Sequence, residues 1–184
     1  MYTIGITGGT CSGKTTLTAR LRELFEADGY KAEVLHMDAF FKNPTPNVTA
    51  PFTGIEYPEH NAPESFRLEE FYAAIEEKQN SDADILIIEG LLILRLEPIR
   101  SKLNLKIFVD LRSDERLYRR IKRFMRDRGQ TLEEVSDRYL DTVRYRHDEF
   151  VEPSRWYADI VLNGANQLGL GAEAVAALVR SKLN

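Results

Sequence analysis

The stretch Gly8-Gly9-Thr10-Cys11-Ser12-Gly13-Lys14-Thr15 decides the reading of this 184-residue chain, because it satisfies GxxxxGK[ST] in full. It follows a short apolar run, Tyr2-Thr3-Ile4-Gly5-Ile6-Thr7, and opens a helix-patterned segment beginning Thr16-Leu17-Thr18-Ala19-Arg20-Leu21. Strand, glycine loop and helix start therefore stand in the order that a phosphate-binding loop requires. Gly8, Gly9 and Gly13 let successive backbone N–H groups converge on one anion, with Thr10, Cys11, Ser12 and Thr16 completing the cradle. The new helix adds its positive N-terminal end. Lys14 supplies a point charge for β- and γ-phosphates, and Thr15 offers a hydroxyl to Mg²⁺. The loop predicts that the chain binds a nucleoside triphosphate, ATP or GTP.

Composition narrows the setting. Hydrophobic residues make up 43% and charged residues 29%, which suits one globular domain spanning residues 1–184. No apolar run approaches the ~20 residues of a membrane-spanning helix. A strand entered at Tyr2 leaves no room for a signal peptide, and a single cysteine, Cys11, fits a reducing compartment; a cytoplasmic protein is expected. Cys11 itself reads as a small side chain that fits the loop. A net charge of −4 argues against a nucleic-acid partner. No membrane partner is expected either, and a homo-oligomer is left open.

Apolar β-rich runs alternate with helix-period segments, the pattern of a parallel sheet covered by helices on both faces. Strands are expected at 2–7, 32–37, 84–89, 105–110 and 158–162. Helices are expected near 14–28, 66–78, 95–102, 113–127, 131–150 and 168–183. The run Ile85-Leu86-Ile87-Ile88 is apolar at consecutive positions, as in a strand buried on both faces. Residues 43–63 hold five prolines and read as one long irregular loop.

Ligands of such sheets collect at the carboxyl ends of the strands. Asp38 follows the second strand and Glu89 closes the third, so both are expected to project toward the phosphate loop. Phosphoryl transfer needs one carboxylate to orient or deprotonate an attacking hydroxyl and another to hold Mg²⁺ or its water shell. Asp110 also ends a strand, but reads as an N-cap for the helix that follows. The segment 112–128 carries eight basic residues, among them Arg120 and Arg123 at a spacing that shares a helix face. Beside a phosphate loop they predict a lid over about 112–130 that neutralises charge on the transferred group. No Asn-Lys-x-Asp motif is present, which argues against a GTPase switch. A regulatory nucleotide-binding protein, the main non-enzyme alternative, has no need of Asp38 together with an arginine lid.

The loop 8–15, the Asp38-Ala39-Phe40-Phe41-Lys42 stretch, the Ile88-Glu89-Gly90 turn, the arginine segment, and the tail Phe150-Val151-Glu152-Pro153 with Tyr157-Ala158-Asp159 resemble the uridine kinase/phosphoribulokinase family. The resemblance implies a P-loop NTPase fold with sheet order 2-3-1-4-5, and transfer of phosphate from ATP or GTP with Mg²⁺ to a small-molecule alcohol, most simply a nucleoside. It implies Asp38 as general base near the metal, Glu89 as the acid near Mg²⁺, and Arg120, Arg123 and Arg128 as lid arginines. An acceptor-binding loop over about 38–66 is implied to contribute Phe41, His60 and Asn61, with Arg120 also reaching the acceptor. Departures mark the acceptor side. Asn61 stands where uridine kinases have the ribose-gripping Asp, and Gln130 and Arg138 stand where they usually have Arg and Gln. The base-reading β-hairpin before the Glu-Gly turn is expected to be absent. Phe40-Phe41-Lys42 is also similar to nicotinamide riboside kinases, and nucleoside monophosphate kinases are a weaker alternative.

Overall fold

The four consecutive apolar residues of β5 (Ile85–Glu89) are all buried because both faces of the strand are covered. Side chains alternate across a strand, so Ile85 and Ile87 enter one apolar cluster and Leu86 and Ile88 the other. In the computed structural model, which describes residues 1–165 and 168–183, β5 lies between β2 (Ala32–His36) and β1 (Tyr2–Gly8). The sheet is completed by β6 (Leu105–Asp110) and β7 (Ile160–Asn163), all pairs being parallel, in the order β2-β5-β1-β6-β7. Counted within the sheet alone this is 2-3-1-4-5, as expected.

One face is covered by α1 (Lys14–Ala27) and α7 (Gly169–Leu183), whose Leu17, Leu21, Phe25, Val175 and Val179 pack on Ile4, Ile6 and Ile107. The opposite face buries Phe71 and Ile75 of α2 (Leu68–Gln79), Ile99 of the single-turn α3 (Glu97–Arg100), and Phe108 of β6. Each fully buried side chain of this size contributes about 1.5–3 kcal/mol. The remaining helices, α4 (Ser113–Arg128), α5 (Leu132–Arg138) and α6 (Arg144–Arg146), follow β6 at the carboxyl edge of the sheet.

Three expectations are corrected. Residues 43–63 are not wholly irregular: β3 (Asn47–Thr49) pairs antiparallel with β4 (Glu56–Pro58). Pro58 ends that pairing, where a missing N–H costs least. The expected helix 131–150 is not a uniform α-helix. Wide π turns at Tyr139–Val143 and His147–Val151 flank α6, and a 3₁₀ segment, Glu152–Tyr157, follows. Asp110 does not cap α4. Leu111 and Arg112 intervene, the residue preceding the helix is Arg112, and Asp110 instead pairs with Arg155 at 3.3 Å. The short connection from α2 to β5 contains no hairpin, matching the expected absence.

Candidate active site

The phosphate loop leaves the carboxyl end of β1 and turns into α1 at Gly13, whose φ of 109° lies in the left-handed region that side chains disfavour. Gly9 is held to glycine by crowding, since a Cβ there would sit 2.6 Å from the guanidinium of Arg116. Cys11 adopts a φ of 58°, an unusual conformation for a residue with a side chain and one that clusters at functional sites. Lys14 folds its ammonium back on the loop and donates to the Gly9 carbonyl at 3.2 Å.

Strand ends supply the acids. Glu89, 5% exposed, closes β5, and its Oε1 accepts from the Thr15 hydroxyl at 3.4 Å and from His36 Nδ1 at 2.9 Å. A carboxylate only accepts, so Nδ1 carries the His36 proton in this contact. The second oxygen, Oε2, is buried and has no hydrogen-bond partner among the described residues. Asp38 lies on the 3₁₀ turn Met37–Phe40 immediately after β2. Burial raises its pKa above the ordinary aspartate value, the Lys14 charge opposes that shift, and Glu89 adds to it.

Helix α4 brings the cations. Arg120 is buried, donates to the Thr10 hydroxyl at 3.0 Å and lies over the Phe124 ring at 4.2 Å. Burial lowers its pKa to about 10, with Arg138 and Arg128 acting in the same direction, so it stays charged near neutrality. Arg128 covers the same ring at 4.1 Å. Arg119 donates to the Gly164 carbonyl at 3.0 Å, and Arg123 is exposed with Asp127 3.8 Å away.

These groups surround one cleft of about 380 Å³. Lys14, Arg119, Arg120, Arg123, Arg128 and Arg138 line it, against only two carboxylates, Asp38 and Glu89. So many cations in a half-buried space repel one another, and a polyanion relieves that repulsion. Thr10, Cys11, Gly13, Thr15 and Thr16 also face the cleft, whereas Gly8, Gly9 and Ser12 do not line it. The Ser12 side chain is fully buried with its hydroxyl unpartnered.

The other end of the cleft is built by residues 41–61. Phe41 stacks on Phe66 at 4.4 Å and meets His60 edge-on at 5.1 Å. Both ends of the segment are pinned, by Lys42 N–H to the Ser65 carbonyl and by Glu59 N–H to the Pro46 carbonyl. Arg138 donates to the Pro58 carbonyl at 2.6 Å and to His60 Nδ1 at 3.0 Å. His60 Nδ1 also lies 3.0 Å from the Pro58 carbonyl, which it meets only as a donor, so the two contacts call for opposite tautomers; burial lowers the His60 pKa. Asn61 faces the cleft beside His60, while Gln130 does not line it.

Sequence reasoning missed Arg116 and Arg119 as individual contributors, although both stand in the basic segment it singled out. It also missed His36 beside Glu89, and the buried Glu59, which holds the backbone of His60 and Asn61 and pairs with Arg146 at 2.7 Å. A charged residue four positions before Pro63 gives no sign in sequence that it is buried.

Comparison with known proteins identifies the family. The Phosphoribulokinase / Uridine kinase family matches residues 56–168. The chain is 36% identical to a uridine kinase of Alkaliphilus metalliredigens, covering 91% of this chain and 90% of that protein. It is 30% identical to a uridine kinase of Lactococcus lactis subsp. lactis, over 98% and 97% of the two chains. In fold it is similar to the shikimate kinase of Acinetobacter baumannii, with a TM-score of 0.59 at 16% identity over 99% and 94% of the chains. With the family matched over more than half its length and full-length relatives at this identity, the chain is a kinase that belongs to the phosphoribulokinase/uridine kinase family.

Proposed function

We propose that this kinase transfers the γ-phosphoryl group of ATP or GTP to the primary hydroxyl of a ribonucleoside. The observation that carries the reading is the placement of Asp38 between the phosphate loop and the Phe41–His60–Asn61 end of one cleft. A carboxylate there, with its pKa raised by burial, is suited to take a proton from an acceptor hydroxyl as that oxygen attacks phosphorus. Lys14 and Arg120 lie where charge develops on the transferred group, and fixed cations in a low-dielectric cleft stabilise it strongly.

The residues fit a divalent cation. Glu89 Oε2 is buried without a partner among the described residues and Glu89 Oε1 touches the Thr15 hydroxyl, a donor set of hard oxygens. Thr15 and Glu89 would hold Mg²⁺ or its water shell, with Asp38 nearby. When bound, Mg²⁺ offsets charge on the β- and γ-phosphoryl oxygens. Arg128, flanking Phe124 opposite Arg120, would contact the triphosphate from above.

A nucleoside acceptor is supported by the names of the relatives and by the shape of the far end. Phe41 and His60 offer ring faces and edges to a planar base, and neutral Asn61 offers hydrogen bonds to a diol. An ADP-release assay across uridine, cytidine, nicotinamide riboside, pantothenate and ribulose 5-phosphate, with ATP and GTP as donors, tests the reading. Turnover of uridine or cytidine is expected, with base discrimination well below that of a site built to hydrogen-bond the base. Activity confined to a non-ribosyl alcohol overturns the acceptor assignment and leaves the phosphotransfer assignment standing. Preference for nicotinamide riboside selects the second reading, favoured by the hairpin-free connection from α2 to β5.

A further inference from the structure

Glu59 is a carboxylate that phosphotransfer does not require, yet it is 3% exposed and fully engaged. Its Oε1 accepts from the backbone N–H of His60 at 2.8 Å, the backbone N–H of Asn61 at 2.7 Å and the Asn61 side-chain Nδ2 at 3.2 Å. Its Oε2 accepts from Arg146 Nε at 2.7 Å, and Arg146 in turn reaches Glu149 at 2.6 Å. Arg146 is the cation paired with this buried carboxylate.

This arrangement constrains Asn61 in a way that free rotation would not. An asparagine amide can present either its NH₂ or its carbonyl oxygen. A carboxylate can only accept, so the Asn61 amide must turn its NH₂ toward Glu59. The carbonyl oxygen is then directed away from Glu59, on a residue that lines the cleft.

We propose that Glu59 is a positioning residue for substrate selection: it locks the Asn61 amide so that the cleft meets Oδ1, and the acceptor group read at that point is a hydrogen-bond donor such as a hydroxyl. The inference rests on reading this end of the cleft as the acceptor site. A role limited to pinning the loop predicts something different, because the backbone bonds to His60 and Asn61 do that without involving the Asn61 side chain.

Two measurements separate these roles. In the first, ¹⁵N-edited NMR of the full chain follows the Asn61 side-chain NH₂, assigned by its loss in Asn61→Ala. The expected result is slow exchange with water and a nuclear Overhauser contact to the Glu59 side chain, with no acceptor added. Exchange as free as that of a fully solvated amide overturns the lock, and this arm requires neither a foldable Glu59 variant nor a correct acceptor. In the second, Glu59→Gln is compared with wild type on uridine and 2′,3′-dideoxyuridine. The variant is expected to raise the KM for uridine at least ~10-fold, leave kcat and the KM for ATP within ~2-fold, and lose most of the discrimination between the two nucleosides. A uniform fall in all parameters, or unchanged discrimination, returns Glu59 to loop pinning. If wild type turns over no nucleoside, the nucleoside reading fails, while the amide measurement still decides the lock.

Discussion

The Thr15 hydroxyl, in the first turn of α1, lies 3.4 Å from Oε1 of Glu89 at the end of β5, so a helix and a strand meet at one pair of hard oxygens. Glu89 is buried and its other oxygen has no partner among the described residues, so the pair is proposed as the seat of a hydrated divalent cation. Glu89→Gln is expected to raise the Mg²⁺ concentration needed for half-maximal activity by ~10-fold or more, in line with the usual cost of losing a metal-orienting carboxylate. A Mg²⁺ titration that leaves the midpoint unchanged while kcat collapses would assign Glu89 to the chemical step instead.

Lys14 donates to the Gly9 carbonyl at 3.2 Å, a contact that a triphosphate can replace. Lys14→Ala is expected to lower turnover at least ~100-fold, because removing one transition-state charge partner costs roughly 2.7 kcal/mol or more. The thermal midpoint of the ligand-free protein should change little, since this exposed end of the side chain is not part of either apolar cluster. Near-normal turnover in a folded variant defeats the role.

Most of the sheet was legible because its signals are local. The run Ile85–Ile88 announces a doubly covered strand, and Gly8–Thr15 fixes its own geometry by where glycine is required. The missed parts depend on partners distant in sequence. β3 and β4 are three-residue strands in a proline-rich stretch, too short for alternation to register. The π turns differ from an α-helix by less than one residue per turn over only five residues, beneath what apolar spacing can resolve. Glu59 reads as a solvated loop acid until Arg146, 87 positions later, folds against it. Asp38 and Glu89 were singled out because strand ends are predictable places for ligands, whereas Arg119 needed the cleft itself.

Burial pushes the His147 imidazole pKa down to about 3, with Arg116 and Lys14 opposing a further positive charge. Glu152 accepts from Nε2 at 3.2 Å but is itself well solvated, so it does not restore the charged form, and Nδ1 is buried and bare. The unfolded chain protonates this histidine near 6.5 and the native chain does not, so native stability falls as pH drops from about 6.5 toward 3. The full effect is on the order of 5 kcal/mol at ~1.4 kcal/mol per unit. His147→Gln should flatten the acid side of the stability profile measured by urea unfolding between pH 4 and 7. An unchanged slope removes His147 as its source.

The arginines of α4 repel one another across the cleft until an anion arrives, so closure of the 112–130 segment should follow ligand binding. Hydrogen exchange in α4 is expected to slow when a non-hydrolysable triphosphate and uridine are both present. Arg120→Ala should weaken that protection, since Arg120 joins the helix to Thr10 of the phosphate loop. Equal exchange with and without ligands would make the exposed members, Arg123 included, an ordinary solvated face.

Asp38 is the remaining acid of the cleft, and its pKa is raised chiefly by burial. A general base works only when deprotonated, so activity should fall as pH drops through that raised value. The acid limb of kcat/KM is therefore expected above the ordinary aspartate value near 3.8. Asp38→Asn keeps the shape and removes the proton acceptor. It should lower kcat by ~10²–10⁴-fold, the usual contribution of a positioned base, while the triphosphate Kd measured by calorimetry stays within ~3-fold. If the variant instead loses triphosphate affinity and retains its pH profile, Asp38 serves the metal rather than the acceptor hydroxyl. The base must then be sought among the other groups lining the cleft, where neutral His60 is the next titratable side chain.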